Sequence, residues 1–438
     1  MVRTLPLIPF PVFREMNDEG AGMPRKPAIS FIFLTLVLDI LGFGLIVPIL
    51  PTLVEELKGA GVSEGARVYG MLASVYALMQ FLCGPLLGSL SDRFGRRRIL
   101  LVSLLGAGLD YFLLAWAPTL PWFFVGRIIS GVTGANYAAA MAYIADVSPP
   151  EKRAANFGLM GAAFGLGFVI GPALGGVLGE MHLRLPFWVA GGMTLVNWFY
   201  GLLVLPESLE PDKRRPFSWK RSNPVGAFLH LRGQPMVLGL AGTHFLTHLA
   251  HQVFPSIWVL YTGYRFHWGA AQVGWTLALV GVMAALVQGG LSRRVIPKWG
   301  EKRSAVVGMI VAALALICYG AASAGWFLYV IVVLGSLGGL APPSVQSLAS
   351  RAVTDREQGA LQGILTSLSS VAGIAGPPLA TAMFAWGIDP ATSHHLPGAA
   401  FFLAAILQFL AVLLALYSFR VRRKRVGAVA DGDGSRSV

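Results

Sequence analysis

Apolar residues in this chain run in long continuous stretches, and short polar segments interrupt them at near-regular intervals. Twelve such stretches fall near residues 28–50, 69–90, 99–117, 120–145, 156–180, 186–206, 236–262, 271–291, 303–322, 325–349, 358–386 and 396–420. A helix needs about 20 apolar residues to cross the hydrocarbon core of a bilayer, and each stretch is of that order. The stretches do not alternate with period two, and lipid offers no partner to an open backbone edge, so the pattern predicts helices. The expected fold class is an all-α membrane protein with twelve transmembrane helices.

Composition removes the soluble alternative. Apolar side chains make up 55% of the residues and charged ones 13%, which leaves too little polar surface to cover a particle in water. The net charge of +13 is large enough to suggest a nucleic-acid partner, but its placement points to lipid. With the first loop set outside, 29 of the 34 Lys and Arg fall on one side of the membrane. Lys58, Arg67, Arg184 and Arg265 fall on the other, and Arg127 lies within an apolar stretch. This positive-inside asymmetry predicts a multi-pass protein of a plasma (inner) membrane with both termini cytoplasmic and no nucleic-acid partner. The run Arg420-Val-Arg422-Arg423-Lys424-Arg425 then reads as an anchor on anionic lipid. Cys83 and Cys318 stand inside predicted helices without metal-type spacing and read as packing residues.

The longest internal polar stretch, Pro206 to Pro235, carries Glu207, Glu210, Asp212, Lys213, Arg214, Arg215, Lys220 and Arg221 and divides six apolar stretches from six. The expected organisation is a cytoplasmic leader at 1–27, a six-helix bundle at 28–206, a cytoplasmic linker at 207–235, a second six-helix bundle at 236–420 and a basic cytoplasmic tail at 421–438. The leader lacks the apolar core of a signal peptide. An internal repeat agrees with this division. Gly88-Ser-Leu90-Ser91-Asp92-Arg93 is echoed by Gly289-Gly-Leu291-Ser292-Arg293-Arg294, and Gly171-Pro172 by Gly376-Pro377. Weak symmetry of this kind marks carriers built from duplicated bundles, so two pseudo-symmetric bundles with a substrate site between them are expected.

The charged run Gly88-Ser-Leu-Ser-Asp92-Arg93-Phe-Gly95-Arg96-Arg97-Arg98 lies where the second stretch leaves the membrane. It belongs with Leu38-Asp39-Ile-Leu-Gly42-Phe-Gly44-Leu-Ile-Val-Pro48-Ile-Leu-Pro51, Gly106-Ala-Gly-Leu-Asp110-Tyr111 and Gly126-Arg127-Ile-Ile-Ser-Gly131-Val-Thr-Gly134-Ala. Further on stand Phe164-Gly-Leu-Gly167-Phe-Val-Ile-Gly171-Pro172-Ala-Leu-Gly175-Gly176, Trp299-Gly-Glu301-Lys302 and Gln358-Gly-Ala-Leu-Gln362-Gly. Together, over nearly the whole chain, these stretches resemble the major facilitator superfamily, and within it the twelve-helix drug/proton antiporters typified by the tetracycline efflux proteins. The resemblance implies a proton-coupled antiporter that exports a small amphipathic drug by alternating access. Its partners are the substrate, protons and the bilayer; it is read as a monomer, with no cofactor and no enzymatic chemistry. Gly167, Gly171, Pro172, Gly175 and Gly176 form the fifth-helix pattern that in this family characterises exporters.

Asp39 stands in the middle of the first apolar stretch, and Asp110 in the third. A carboxylate there is costly unless protonated, paired or turned to a wet cavity. Each is a candidate for proton coupling or substrate binding; the plainer alternative is a neutral group hydrogen-bonded across a helix interface. The resemblance places a required acid at Asp39. Arg127 needs either an acid, from Asp39 or Asp110, or several carbonyl partners, and the resemblance associates it with proton coupling. Asp92, Gly95 and Arg96 read, on the same resemblance, as a cytoplasmic gate, with the Asp pairing an arginine or capping a helix of the opposite half. Arg97 and Arg98 read as topology markers.

In the seventh stretch His244, His248 and His251 share one helical face. They are cavity-lining groups, a proton relay or, less readily, metal ligands, and no metal is expected. Gln288 and Gln362 are expected to line the cavity, with Gln80, Asn136, Gln252 and Gln346 as further candidates. One departure concerns the substrate. Tetracycline exporters commonly carry an acid in the ninth helix and a histidine in the eighth, where this chain has Gly308-Met-Ile-Val311-Ala312-Ala313 and Ala284. No phosphate-cradling loop is present to bind ATP. A proton-coupled uptake carrier for a nutrient and a non-transporting membrane sensor stay open as alternatives.

Overall fold

The computed structural model describes residues 29–59, 61–149, 151–215, 235–354, 357–391 and 395–433. Among them the regular structure is entirely helical. The first half comprises α1 (Ile29–Ile46), α2 (Leu50–Lys58), α3 (Val62–Phe94), α4 (Arg96–Trp116), α5 (Leu120–Gly134), α6 (Tyr137–Val147), α7 (Arg153–Met181) and α8 (Leu185–Val204). The second comprises α9 (Pro235–His251), α10 (Val253–Phe266), α11 (Ala270–Ala284), α12 (Ser292–Trp299), α13 (Glu301–Ala321), α14 (Gly325–Gly335), α15 (Ala341–Ser350), α16 (Gln358–Ile388) and α17 (Ala399–Asp433). A π-helical turn, Ala285–Leu291, joins α11 to α12, and a 3-10 turn, Ser336–Leu340, joins α14 to α15. The expected leader and most of the expected linker lie outside the described residues.

Among the described residues eleven segments are long and apolar enough to cross a membrane. The twelfth is α9 with α10, broken at Gln252 and diluted by three histidines. Every third span, the first, fourth, seventh and tenth, is thus two helices laid end to end. Prolines account for three of the four breaks, because they cannot donate to the helical ladder: Pro48 and Pro51 at α1–α2, Pro255 just inside α10, and Pro342 with Pro343 at the start of α15. Large apolar side chains cover the outside, with Trp116 77% and Leu203 72% exposed, as a lipid-facing surface requires.

The sequence repeat has a counterpart in the packing. Helix α7 lies against α1 in its own half, where Gly44 faces the Gly167 carbonyl and Gly171, and Gly175 faces the Leu45 carbonyl. It also crosses to α11 of the other half, where Gly274 meets the Pro172 carbonyl and Gly176 meets Ala270. Helix α16 does the same in reverse. It packs Gly376 on Gln252 in its own half and takes Gly70 of α3 against Thr381 and the Pro377 carbonyl. Ser74 donates to the Ile374 carbonyl across that seam, and Ser63 to that of Ala385 at 3.2 Å.

These two seams lie toward one end of the bundle. There a single apolar core joins Leu53, Leu72 and Phe187 of the first half to Trp258, Tyr261 and Phe401 of the second. At the other end, which carries the basic loops, each half closes on its own core, around Tyr143 and Leu100 in one and Met309 and Leu361 in the other. Two of the cations at the shared end act as helix caps. Arg184 donates to the Ala115 and Ala117 carbonyls at 2.9 Å each, and Arg265 to that of Ala322 at 2.7 Å, satisfying carbonyls that a helix C-terminus leaves open.

The α1–α7 seam generates a contrast. A Cβ at Gly175 would lie 2.0 Å from the Leu45 carbonyl oxygen, whereas one at Gly165 meets nothing within 4 Å. Gly175→Val is expected to lower unfolding stability in detergent by about 3 kcal/mol. Gly165→Ala should leave the melting curve where it is.

Candidate functional site: a cavity between the halves

Because the halves part at the basic end, a cavity of about 1110 Å³ opens there between them. It runs from Asp92 and Ser89 at the mouth to Asp39, Asp110 and Arg127 at depth. A second cavity of about 450 Å³ continues from Arg127 and Tyr76 toward Leu50, Tyr69 and Pro377. Asp39 enters from α1 and lies within hydrogen-bonding reach of the Asn136 side chain, at the break between α5 and α6. Asp110 comes from α4 and is 2% exposed; Arg127 comes from α5 and is 4% exposed. Gly126 brings α5 close to that carboxylate, for a Cβ there would sit 3.0 Å from Asp110 Oδ1.

Of the two partners expected for Arg127, an acid or several carbonyls, the acid is Asp110, reached indirectly. Ser130 stands between them: its hydroxyl donates to Asp110 Oδ2 and accepts from Arg127 Nη2 at 3.2 Å. Ser130 is one turn along the same helix from Arg127, which puts a short polar side chain on the same face. The guanidinium carbon lies 5.7 Å from the centroid of the Tyr76 ring, in cation–π range. Asp110 Oδ1 and Arg127 Nε have no protein partner, so both keep hydrogen-bonding capacity in hand. Ser130 and Tyr76 were not legible as site residues. The i, i+3 spacing of Arg127 and Ser130 is the one signal that could have found the bridge.

At the mouth Asp92 binds within its own half. Its carboxylate lies 2.5 Å from Arg96 Nη1, while Arg96 Nε lies 3.2 Å from Asp146 Oδ2 and Nη1 donates to Ser91 Oγ at 2.6 Å. Gly95, at φ 101°, is in the region that favours glycine, and it ends α3 so that α4 begins with Arg96 turned inward. Glu207 caps that start, accepting from the Arg96 N–H at 2.8 Å. Arg97, expected as a topology marker, donates to the Leu202 carbonyl at 2.6 Å. The second half repeats the construction with charges exchanged. Gly300, at φ 79°, precedes Glu301, which pairs with Arg351 at 3.0 Å.

Of the residues expected to line the cavity, Gln362 does so. Gln80 and Asn136 line it too. His244, His248, His251 and Gln288 line neither cavity. His244 Nε2 lies 2.8 Å from Ser369 Oγ, and its ring lies against that of His248, centroids 4.2 Å apart and planes tilted by 41°. His251 packs on Phe254. Among the described residues no three or more His, Cys, Asp or Glu side chains converge as a metal ion would need. Where the resemblance looks for a ninth-helix acid, Gly308 of α13 abuts the backbone of Ala341 and the Gly338 carbonyl, a seam too tight for a carboxylate.

Two pseudo-symmetric six-helix bundles around a one-ended cavity with buried carboxylates define a secondary carrier. The family model of the Major Facilitator Superfamily matches residues 32–297 and 240–437, and the chain belongs to that superfamily as a multi-pass membrane transporter. It is 41% identical over 363 residues to the class C tetracycline resistance protein of Escherichia coli, covering 83% of this chain and 91% of that one. It is 36% identical over 399 residues to the class H protein of Pasteurella multocida, covering 90% and 96%. Among solved structures it resembles the human organic anion transporter MFSD10 (TETRAN), with TM-score 0.65 and 25% identity over 88% of this chain and 98% of that one.

The serine bridge predicts coupled energetics. In a double-mutant cycle of Asp110→Ala and Ser130→Ala, read by denaturant unfolding in detergent, the two losses should fall short of additivity by about 1–2 kcal/mol. Strict additivity would mean that the bridge contributes nothing.

Proposed function

We propose that this chain is a proton-coupled antiporter that exports a small amphipathic drug, tetracycline-like in chemistry, by alternating access. The observation that carries this reading is that Asp39, Asp110 and Arg127 all open into one cavity between the two halves. The names of the curated relatives, tetracycline resistance proteins, support the direction and the substrate class. The protein works as a monomer in a plasma (inner) membrane with both termini cytoplasmic, the side that the basic loops favour.

In the state described, the substrate enters from the cytoplasm or the inner leaflet through the basic end. Asp39 and Asp110 are the proton-coupling groups. When Asp110 takes a proton its carboxyl becomes a donor toward Ser130, and the serine hydroxyl must turn its own hydrogen elsewhere. Arg127 keeps Ser130 as an acceptor but loses the negative charge behind it, so its unpartnered Nε turns to an acceptor on the substrate. Drug outward and proton inward thus compete for the same set of hydrogen bonds, which is the requirement for exchange.

The gate lies at Asp92, Gly95 and Arg96. Closing the cytoplasmic end brings Asp92 to the opposite half and exchanges part of its contact with Arg96 for a partner there. While the cytoplasmic end is open the outer side is held shut where Pro172 and Gly176 cross to the second half, and Gly167, Gly171 and Gly175 seat α7 on α1. The amide of Gln362, exposed on the cavity wall, contributes to substrate binding. The three histidines and Gln288 act through packing.

Drug susceptibility of a hypersensitive host tests the reading, with wild type compared against Asp39→Asn across tetracyclines and unrelated amphipathic drugs. Wild type should protect, and Asp39→Asn, confirmed in the membrane, should return the host to the sensitivity of the empty strain. Full protection by the variant would remove Asp39 from the coupling step. No protection by the wild type would overturn drug export.

A further inference from the structure

The cavity walls differ in chemistry. On the first half, rings from four helices follow one another toward Arg127. Tyr137 of α6 lies 6.1 Å from Phe164 of α7, and Phe164 is stacked on Phe168 at 6.3 Å with planes 22° apart. Phe168 meets Phe43 of α1 at 6.2 Å, and Phe43 is stacked on Tyr76 of α3 at 6.2 Å with planes 23° apart. The Tyr76 ring then faces Arg127. All five rings line the cavity.

They are unlike the aromatic core at the sealed end. There Tyr261, Trp258 and Phe401 are buried and meet edge to face. The row in the cavity starts at Tyr137 and Phe164, 47% and 40% exposed, so it is not a filled interior. Nor is it a product of the repeat. In the register that sets Gly171-Pro172 on Gly376-Pro377, Phe164 falls on Ser369 and Phe168 on Gly373. The rings belong to one half only, and chemistry that breaks a duplicated pattern marks what the site itself needs.

The facing wall, from α16, carries Gln362, Thr366, Ser367 and Ser370. Ser367 and Ser370 spend their own hydrogens on the carbonyls of Gly363 and Thr366, at 2.8 and 3.0 Å. What they offer the cavity is therefore acceptor lone pairs. A ligand suited to both walls has a flat conjugated face on one side and O–H or N–H donors along an edge on the other.

We infer that the row from Tyr137 to Tyr76 is a stacking track. It receives fused planar ring systems with donor-bearing edges at Tyr137 and Phe164, inside the cavity, and passes them, ring face to ring face, to Arg127. Adjacent rings at about 6 Å leave no slot between them, so the ligand lies on their cavity-facing sides rather than between them. The inference deepens the proposed function by naming the shape and edge chemistry of its substrate and the residues that select it.

The test is equilibrium binding to the purified full chain in lipid nanodiscs, with no gradient. The probes are acridine orange, a flat fused-ring fluorophore read by anisotropy, and cholate, whose fused rings are puckered, read by displacement. For Phe164→Leu and Phe168→Leu, Kd for acridine orange should rise about tenfold, the size of one lost ring stack, with cholate unchanged. Phe164→Tyr should restore flat-ring binding. Equal losses for both probes, no loss for either, or a wild type that does not bind acridine orange would each overturn the track. Because binding is read without transport, a wild type that binds flat rings but protects no host would leave the track standing and remove only the export reading.

Discussion

A bilayer offers no hydrogen bonds, and a charge placed at its centre must find partners within the protein or in a water-filled cavity. Asp39, Asp110 and Arg127 impose that condition here, and much of the structure answers it. Ser130 ties Asp110 to Arg127, the Tyr76 face takes the guanidinium, and Asn136 stands beside Asp39. What remains unsatisfied, Asp110 Oδ1 and Arg127 Nε, belongs to residues that line the cavity. The cavity exists only because the halves separate at the basic end, and they can separate only if the other end holds.

That hold is made by close backbone approach. Lipid-exposed helices gain nothing from apolar association, since the surrounding chains are equally apolar, so contact depends on small residues that let backbones come near. Helices α7 and α16 each carry two such faces, one for a neighbour in the same half and one for the opposite half. Every third span is interrupted, with Pro48, Pro255 or Pro342 at or beside three of the four breaks, and these spans are the ones able to bend while α7 and α16 keep their seams. The apparent weakness of the helix ladder at these points is compatible with rocking between two arrangements.

The spans and the internal repeat were legible in the sequence because hydropathy and the Gly-Pro echo are long-range patterns that tertiary packing does not overwrite. Asp39, Asp110 and Arg127 were legible as candidates because a charge in an apolar run must be neutral, paired or turned to a cavity. Ser130 was not, since a serine inside a membrane helix ordinarily bonds back to its own carbonyls, as Thr133 does three residues on. Tyr76 was one aromatic among many, and only the approach of α5 shows that its face meets Arg127. The histidines share a face as the spacing implied, but which neighbour that face meets depends on the tilt of α16, and Ser369 takes it. Asp92 pairs within its own half because Arg96 stands four residues on, past the break at Gly95.

The two halves share a plan and differ in its use. Both place a glycine of positive φ and an ion pair at the basic end, but the first half builds its pair from Arg96 with Asp92 and Asp146, and the second from Glu301 with Arg351. A charge-exchanged copy preserves the fold of each loop, since an ion pair is indifferent to which helix carries which sign, while it makes the two mouths electrostatically complementary when they meet. Inside the cavity the same division holds, with acids, arginine and rings on one wall and amides and hydroxyls on the other. A rocking motion between such walls changes what each buried charge faces without moving the charge within its own bundle. That is how a rigid duplicated scaffold can alter the environment of a buried carboxylate while leaving every bond in its core intact.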